Sequence, residues 1–187
     1  MFRLMGFMTL ALATAMNAGA ASPTDVVSQS FAVTKKGDWA AYTQMTHPEA
    51  LAAAKRMFRA VVAVDTTGRV GDLFFGVNSL EQFDALSDAA AYTALWQNLT
   101  TKLPVLGDAI RSAEDSIIGT VPEGADVMHV VCRESASTQG ISMSKVSVIT
   151  VKKSGEDWKL MLAGNFDGLA ARLGQFAKAI PAPPKMQ

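Results

Sequence analysis

The chain is poor in the residues on which many activities depend: its 187 residues include one cysteine and two histidines, and neither charge is in excess. Lys plus Arg and Asp plus Glu number 17 each, so no basic surplus indicates a nucleic-acid partner. The lone Cys132 cannot form an intramolecular disulfide or a two-cysteine redox motif. The sequence also lacks HExxH spacing, a phosphate loop and a dinucleotide fingerprint, so we predict no metal site and no cofactor.

No apolar run reaches the about 20 residues that span a bilayer as a helix, so we predict no membrane span. The N-terminal run from Leu4 to Met16 follows the single charge of Arg3 and precedes the small residues 17–21. This order is typical of a secretory signal peptide. We therefore predict a signal peptide over residues 1–21 and a periplasmic or secreted mature protein, with a composition that favours a bacterial source.

The rest of the chain suits a single domain over residues 22–180, followed by a proline-rich, flexible tail over 181–187. Helices are predicted first, because cap residues precede apolar residues at helical spacing. Predicted helices run from about Thr24 to Lys36 and from Trp39 to Met45, and a long one begins at Pro48. Serines at 79 and 87 begin two more, and the intervening Leu73-Phe74-Phe75 is expected to form a strand or a lid.

From about Ile110 the pattern changes to strands. Four β-rich segments, separated by three turns, predict an antiparallel meander over residues 117–121, 127–133, 146–151 and 158–162. An amphipathic helix should follow, with its apolar face formed by Leu169, Leu173, Phe176 and Ile180. The predicted class is thus α+β, with N-terminal helices packed on a curved four-stranded antiparallel sheet and a C-terminal helix.

Three segments carry a family resemblance: Gly37-Asp38-Trp39 before a short helix, His47-Pro48-Glu49-Ala50-Leu51, and a meander with Trp158 after the Gly155 turn. In this order they resemble the nuclear transport factor 2-like superfamily, and exported bacterial members most closely, over about Val26 to Leu162. The resemblance implies a cone-shaped fold whose sheet curls around an apolar pocket. It does not fix an activity, because members include isomerases, cyclases and dehydratases as well as proteins that only bind or dimerise.

The candidate site residues follow from strand alternation and from the aromatic residues. Val127, His129, Val131 and Arg133 share one strand face, which we expect to look into the concave side of the sheet. The predicted ligand-binding residues are His129, Arg133, Val131, Trp39, Tyr42 and Trp96. His129, or else His47, could serve as an acid–base group, but His129 could also be structural, and His47 could simply cap the helix that begins at Pro48.

Three functions remain open on the sequence. The first is non-enzymatic binding of a small apolar or amphipathic ligand, or of a protein partner, in the cone. The second is a cofactor-free isomerase- or cyclase-like enzyme that uses a histidine. The third is a structural or dimerisation module, which could form a homodimer through the sheet.

Overall fold

The computed structural model describes residues 21–138 and 141–164, together with residues 166, 168 and 175. Residues 1–20 of the predicted signal peptide, the Gln139-Gly140 turn and the tail over 181–187 lie outside these residues. So do the four apolar residues that define the predicted C-terminal helix.

Helices come first in the described part of the chain and strands follow, which confirms the α+β class. The helices are α1 (Pro23–Lys36), α2 (Trp39–Gln44), α3 (Pro48–Ala63), α4 (Arg69–Phe75), α5 (Leu80–Ala85), α6 (Asp88–Lys102) and α7 (Pro104–Ser112). The strands are β1 (Glu114–Glu123), β2 (Val127–Thr138), β3 (Ile141–Ser154) and β4 (Asp157–Leu160).

The helix starts follow local cap chemistry, as the sequence predicts. At the start of α1, the Ser22 hydroxyl accepts from the Asp25 N–H while the Asp25 carboxylate accepts from the Ser22 N–H, which is a complete capping box. Gly37 ends α1 with a φ of 71°, a left-handed conformation that glycine adopts without a Cβ clash. Ser79 and Ser87 cap α5 and α6 through their hydroxyl groups.

The expectation of a strand or lid at Leu73–Phe75 is wrong, because this segment is the end of helix α4. The Asp65 carboxylate organises the start of this helix, accepting from the N–H groups of Val70 at 2.7 Å and Gly71 at 3.1 Å. A carboxylate near the positive end of a helix is also favourable electrostatically. The run Leu73-Phe74-Phe75 does not by itself indicate a helix, because the capping residue, Asp65, lies outside it.

The expected change to strands at Ile110 is also too early. Residues Pro104–Ser112 form helix α7, and the first strand begins at Glu114. Pro104 occupies the first turn of the helix, where its missing N–H costs no hydrogen bond. The proline that was expected to mark the end of α6 therefore also begins the next helix.

The four strands form one antiparallel sheet in the order β1-β2-β3-β4, so the predicted meander is confirmed. Residues opposite one another across the ladders, such as Val130 and Ile149, or Val151 and Leu160, share a face. An irregularity between Ile117 and Gly119 shifts the register of β1 against β2.

Helix α1 packs on one face of the sheet, which we call the inner face. Its Val26 and Val27 belong to a buried cluster with residues of the sheet. The sheet members of that cluster are Val130, Cys132, Val151 and Leu160. A larger cluster between the helices contains the fully buried Phe58, Phe83 and Leu95. In the described part of the chain no helix combines the length and the apolar character that crossing a membrane requires.

The packing of α3 gives a stability test. Phe58 is 2% exposed and contacts Phe75 and Phe166 edge-on, whereas Arg56 on the same helix is exposed. We expect Phe58→Ala to reduce the free energy of unfolding by about 3–5 kcal/mol. Arg56→Ala should change it by within roughly 0.5 kcal/mol. Denaturant titration measures both, and similar losses at the two positions would contradict the observed packing of the helix.

Candidate functional site

A cavity of about 780 Å³ lies between the inner face of the sheet and the helices. This volume is within the range of small-molecule binding sites. We call it the aromatic cavity, after the residues that form much of its helical side: Trp39, Tyr42, Tyr92, Trp96 and Phe166. The sheet side includes Asp115, Glu134, Lys145 and Ile149.

The aromatic wall is built from two pairs of residues at helical spacing. Trp39 and Tyr42 are three apart on α2, and Tyr92 and Trp96 are four apart on α6, so each pair shares a helix face. The indoles of Trp39 and Trp96 are stacked, with centroids 5.6 Å apart and an interplanar angle of 18°. Tyr42 meets both indoles edge-on at 6.2 Å. The ring contacts between α2 and α6 thus hold the aromatic side chains of both helices in position.

Polar atoms of this wall are deeply buried. The indole N–H of Trp96 is buried in this wall. Burial raises the pKa of Tyr42 well above its usual value, and the neighbouring Tyr92 and Glu134 raise it further. Burial also raises the pKa of Tyr92. Both phenols are therefore neutral near physiological pH and keep their hydroxyl hydrogens.

Two carboxylates contribute the polar part of the sheet side. The Asp115 side chain is only 8% exposed and lies 3.0 Å from the ammonium of Lys35. Glu134 lies 2.9 Å from Lys145 and accepts a hydrogen bond from the Ser147 hydroxyl. Burial acts to raise the pKa of Glu134, but the hydrogen bonds from Ser147 and Lys145 outweigh it and hold that pKa below its usual value. Glu134 is thus ionised at neutral pH.

Three of the sequence-predicted residues, Trp39, Tyr42 and Trp96, line this cavity together. His129, Val131 and Arg133 do not line it. They share a strand face, but it is the face opposite Val130 and Cys132, which we call the outer face. This face therefore does not look into the aromatic cavity, because Val130 and Cys132, at the alternate positions, pack against helix α1.

His129 is instead part of a hydrogen-bonded chain on the outer face. Its Nδ1 lies 2.9 Å from the Thr150 hydroxyl, and its Nε2 lies 2.7 Å from the Glu123 carboxylate. The chain ties β2 to β1 and β3 across the ladder. His129 and Arg133 do not line the aromatic cavity, so they are not available as donors to a ligand within it.

His47 caps helix α3, as one of the two interpretations of the sequence holds. Its Nδ1 accepts from the Glu49 N–H at 3.1 Å, so the proton of the neutral ring sits on Nε2, 3.3 Å from the Lys153 carbonyl oxygen. The residue is 6% exposed and does not line the cavity. Both ring nitrogens thus serve the structure.

The sequence interpretation missed the carboxylates of the cavity, Asp115 and Glu134. Strand alternation contained the signal for Glu134, since Met128, Val130, Cys132 and Glu134 share a face. Asp115 was hidden because the strand start was placed too late. Groups of three or more His, Cys, Asp or Glu side chains that could hold a metal ion are not found among the described residues.

Comparisons of the chain with protein-family models, with curated proteins and with solved structures find no match. The resemblance to the nuclear transport factor 2-like superfamily therefore stays a prediction from the sequence. What the site can do has to be argued from its own geometry.

The single cysteine offers a direct test of the inner face. Cys132 is fully buried, and burial, followed by the charges of Glu134 and Asp115, raises the pKa of its thiol to about 11. Because the thiolate is the reactive form, a thiol reagent at pH 8 should label the native protein at least about a hundredfold more slowly than the unfolded chain. Absorbance-monitored labelling measures both rates. Fast, stoichiometric labelling of the native protein would show that this face is open to solvent.

Proposed function

We propose that this protein binds a small amphipathic ligand in the aromatic cavity without chemical turnover. The observation that carries the proposal is the combination, in one cavity of about 780 Å³, of an aromatic wall and a polar wall. Pockets for small organic ligands are mainly apolar, with a few polar groups that fix orientation. The mature protein would act outside the cytoplasm, as its N-terminal sequence predicts, and its sequence resembles the nuclear transport factor 2-like superfamily.

The two walls assign the two ends of such a ligand. The apolar body would lie against Trp39, Trp96 and Phe166, and burial of apolar area there supplies most of the binding free energy. The polar end would lie toward Asp115 and Glu134 on the sheet. This division supports an amphipathic ligand over a purely apolar one.

The cavity lining gives no support to the isomerase- or cyclase-like alternative. It depended on His129 or His47 as an acid–base group, and neither lines the cavity. Both rings are engaged by structural hydrogen bonds, His129 with Thr150 and Glu123, and His47 with backbone groups of α3 and β3.

Adjacent residues of β3 provide a matched test of the binding proposal. Ile149 lines the cavity, whereas Val148 is on the outer face and more than half exposed. We expect the larger side chain of Ile149→Trp to fill part of the cavity. It should weaken binding of the neutral fluorescent probe N-phenyl-1-naphthylamine at least about tenfold, because the indole and the probe would occupy the same space. Val148→Trp should leave its affinity within about twofold.

Probe fluorescence titration gives the dissociation constants, and circular dichroism checks that both variants are folded. Equal probe affinities for the two folded variants would overturn the proposal that the cavity is the binding site. So would failure of the parent protein to bind the probe at all.

A second candidate function, homodimerisation through the sheet, is supported by the outer face. Val121, Val146 and Val148 are each more than half exposed there. Branched apolar side chains on neighbouring strands form a surface that a second copy could cover with the same residues around a two-fold axis.

Sedimentation velocity tests this second candidate. Val148→Lys should convert a dimer into a monomer, because pairing would bury an uncompensated charge. Val105→Lys is the matched control, since Val105 is also exposed, at 73%, but belongs to helix α7 and not to the outer face of the sheet. A monomeric parent protein at tens of micromolar, or a dimer that Val148→Lys leaves intact, would contradict pairing through the outer face.

A further inference from the structure

We infer that the ligand of the aromatic cavity is an organic cation: a protonated amine or quaternary ammonium group on an apolar body. This inference rests on the proposed binding function and specifies the ligand's charge. It places the polar contacts of the ligand at Asp115 and Glu134, and not at His129 and Arg133, which the sequence predicts as ligand-binding residues.

The first argument is the order of charges across the cavity wall. Asp115 is 8% exposed and its partner Lys35 is 35% exposed, while Glu134 is 27% exposed and Lys145 is 65% exposed. In both pairs the carboxylate is the deeper group and the ammonium the outer one. Asp115, Glu134 and Lys145 are the charged residues of the described cavity lining, which therefore carries two carboxylates against one ammonium.

The second argument is the incomplete satisfaction of Asp115. Lys35 is the one polar side-chain partner that the described part of the protein gives this carboxylate, through a single oxygen. An ionised carboxylate has about four acceptor positions. Since Asp115 lines the cavity, its remaining acceptor capacity is available to an N–H donor or a positive charge within it.

The third argument is the mobility of the resident cations. A lysine ammonium sits on a flexible four-carbon stem and is strongly hydrated, so it can move into solvent at small cost. Lys35 and Lys145 could withdraw and leave the carboxylates to an incoming cation. The carboxylates could not withdraw in the same way for an anionic ligand, because their side chains are shorter and less exposed than those of the lysines.

The aromatic wall points the same way. Trp and Tyr rings attract cations through their π-electron faces, and the attraction grows when water is excluded. Four such residues, Trp39, Tyr42, Tyr92 and Trp96, line the cavity opposite the carboxylates. Arginine and histidine do not occur among the described lining residues, so Lys145 is the only cationic side chain there to repel the ligand.

Three compounds with one body and different charges test the inference: 4-phenylbutylamine, 4-phenylbutanol and 4-phenylbutanoate. At pH 7 they are cationic, neutral and anionic. Each is used to displace N-phenyl-1-naphthylamine from the full mature protein. We expect the amine to bind at least about tenfold tighter than the alcohol, as charge-assisted hydrogen bonds are roughly twice as strong as neutral ones, and the carboxylate to bind more weakly than the alcohol.

Isosteric variants of the two carboxylates test whether Asp115 and Glu134 cause the preference for the amine. Asp115→Asn and Glu134→Gln should each lower the affinity for the amine about tenfold while changing that for the alcohol within about twofold. Glu49→Gln is the matched control, because Glu49 also pairs with a lysine, Lys152 at 2.7 Å, but lies outside the cavity lining. If Asp115→Asn fails to fold, Glu134→Gln, whose carboxylate is less buried, still decides the question.

The outcomes separate the two proposals. Equal displacement by all three compounds, or an amine preference that survives in folded Glu134→Gln and Asp115→Asn proteins, overturns the cation inference and leaves the binding function standing. Displacement by none of them, with no probe binding sensitive to Ile149→Trp, overturns both.

Discussion

The packing of α1 against one face of the sheet is the contact on which the rest of the structure depends. Val26 and Val27 are buried against Val130, Cys132 and their neighbours on the strands. Because side chains alternate along a strand, burying these positions also decides where every other side chain of β2 and β3 lies. Glu134 and Lys145 are thereby placed at the cavity, and His129 and Arg133 on the outer face.

The dependence of the site on which sheet face packs against α1 explains why much of the fold, but less of the site, could be predicted from the sequence. Caps such as Ser22 and His47 act over two or three residues, so they could be recognised locally. The cap of α4 could not, since Asp65 reaches five and six residues ahead to Val70 and Gly71. The meander was predictable because β-branched runs alternate with turn residues.

The face that binds the helices was not predictable from β2 alone. Val127 and Val131 are as apolar as Val130, and the pair of His129 and Arg133 suggested polar groups that contact a ligand. The deciding partners, Val26 and Val27, lie about a hundred residues away along the chain. The aromatic residues Trp39, Tyr42 and Trp96 could be proposed as pocket residues because ligand pockets are mainly apolar, whereas the positions of Asp115 and Glu134 depend on strand register.

The central claim is that the aromatic cavity binds the ligand. The three tryptophans of the chain allow a test of where the ligand binds, because they lie at different places relative to the cavity. Trp39 and Trp96 line the cavity, while the third, Trp158, does not line it and lies beneath the ammonium of Lys153 at 5.5 Å. The direct measurement is fluorine NMR of protein labelled with 5-fluorotryptophan, titrated with 4-phenylbutylamine. The account predicts that the resonances of Trp39 and Trp96 shift and saturate together while that of Trp158 stays in place. A shift of Trp158 alone, or no shift of the two cavity resonances at a saturating concentration, would contradict it.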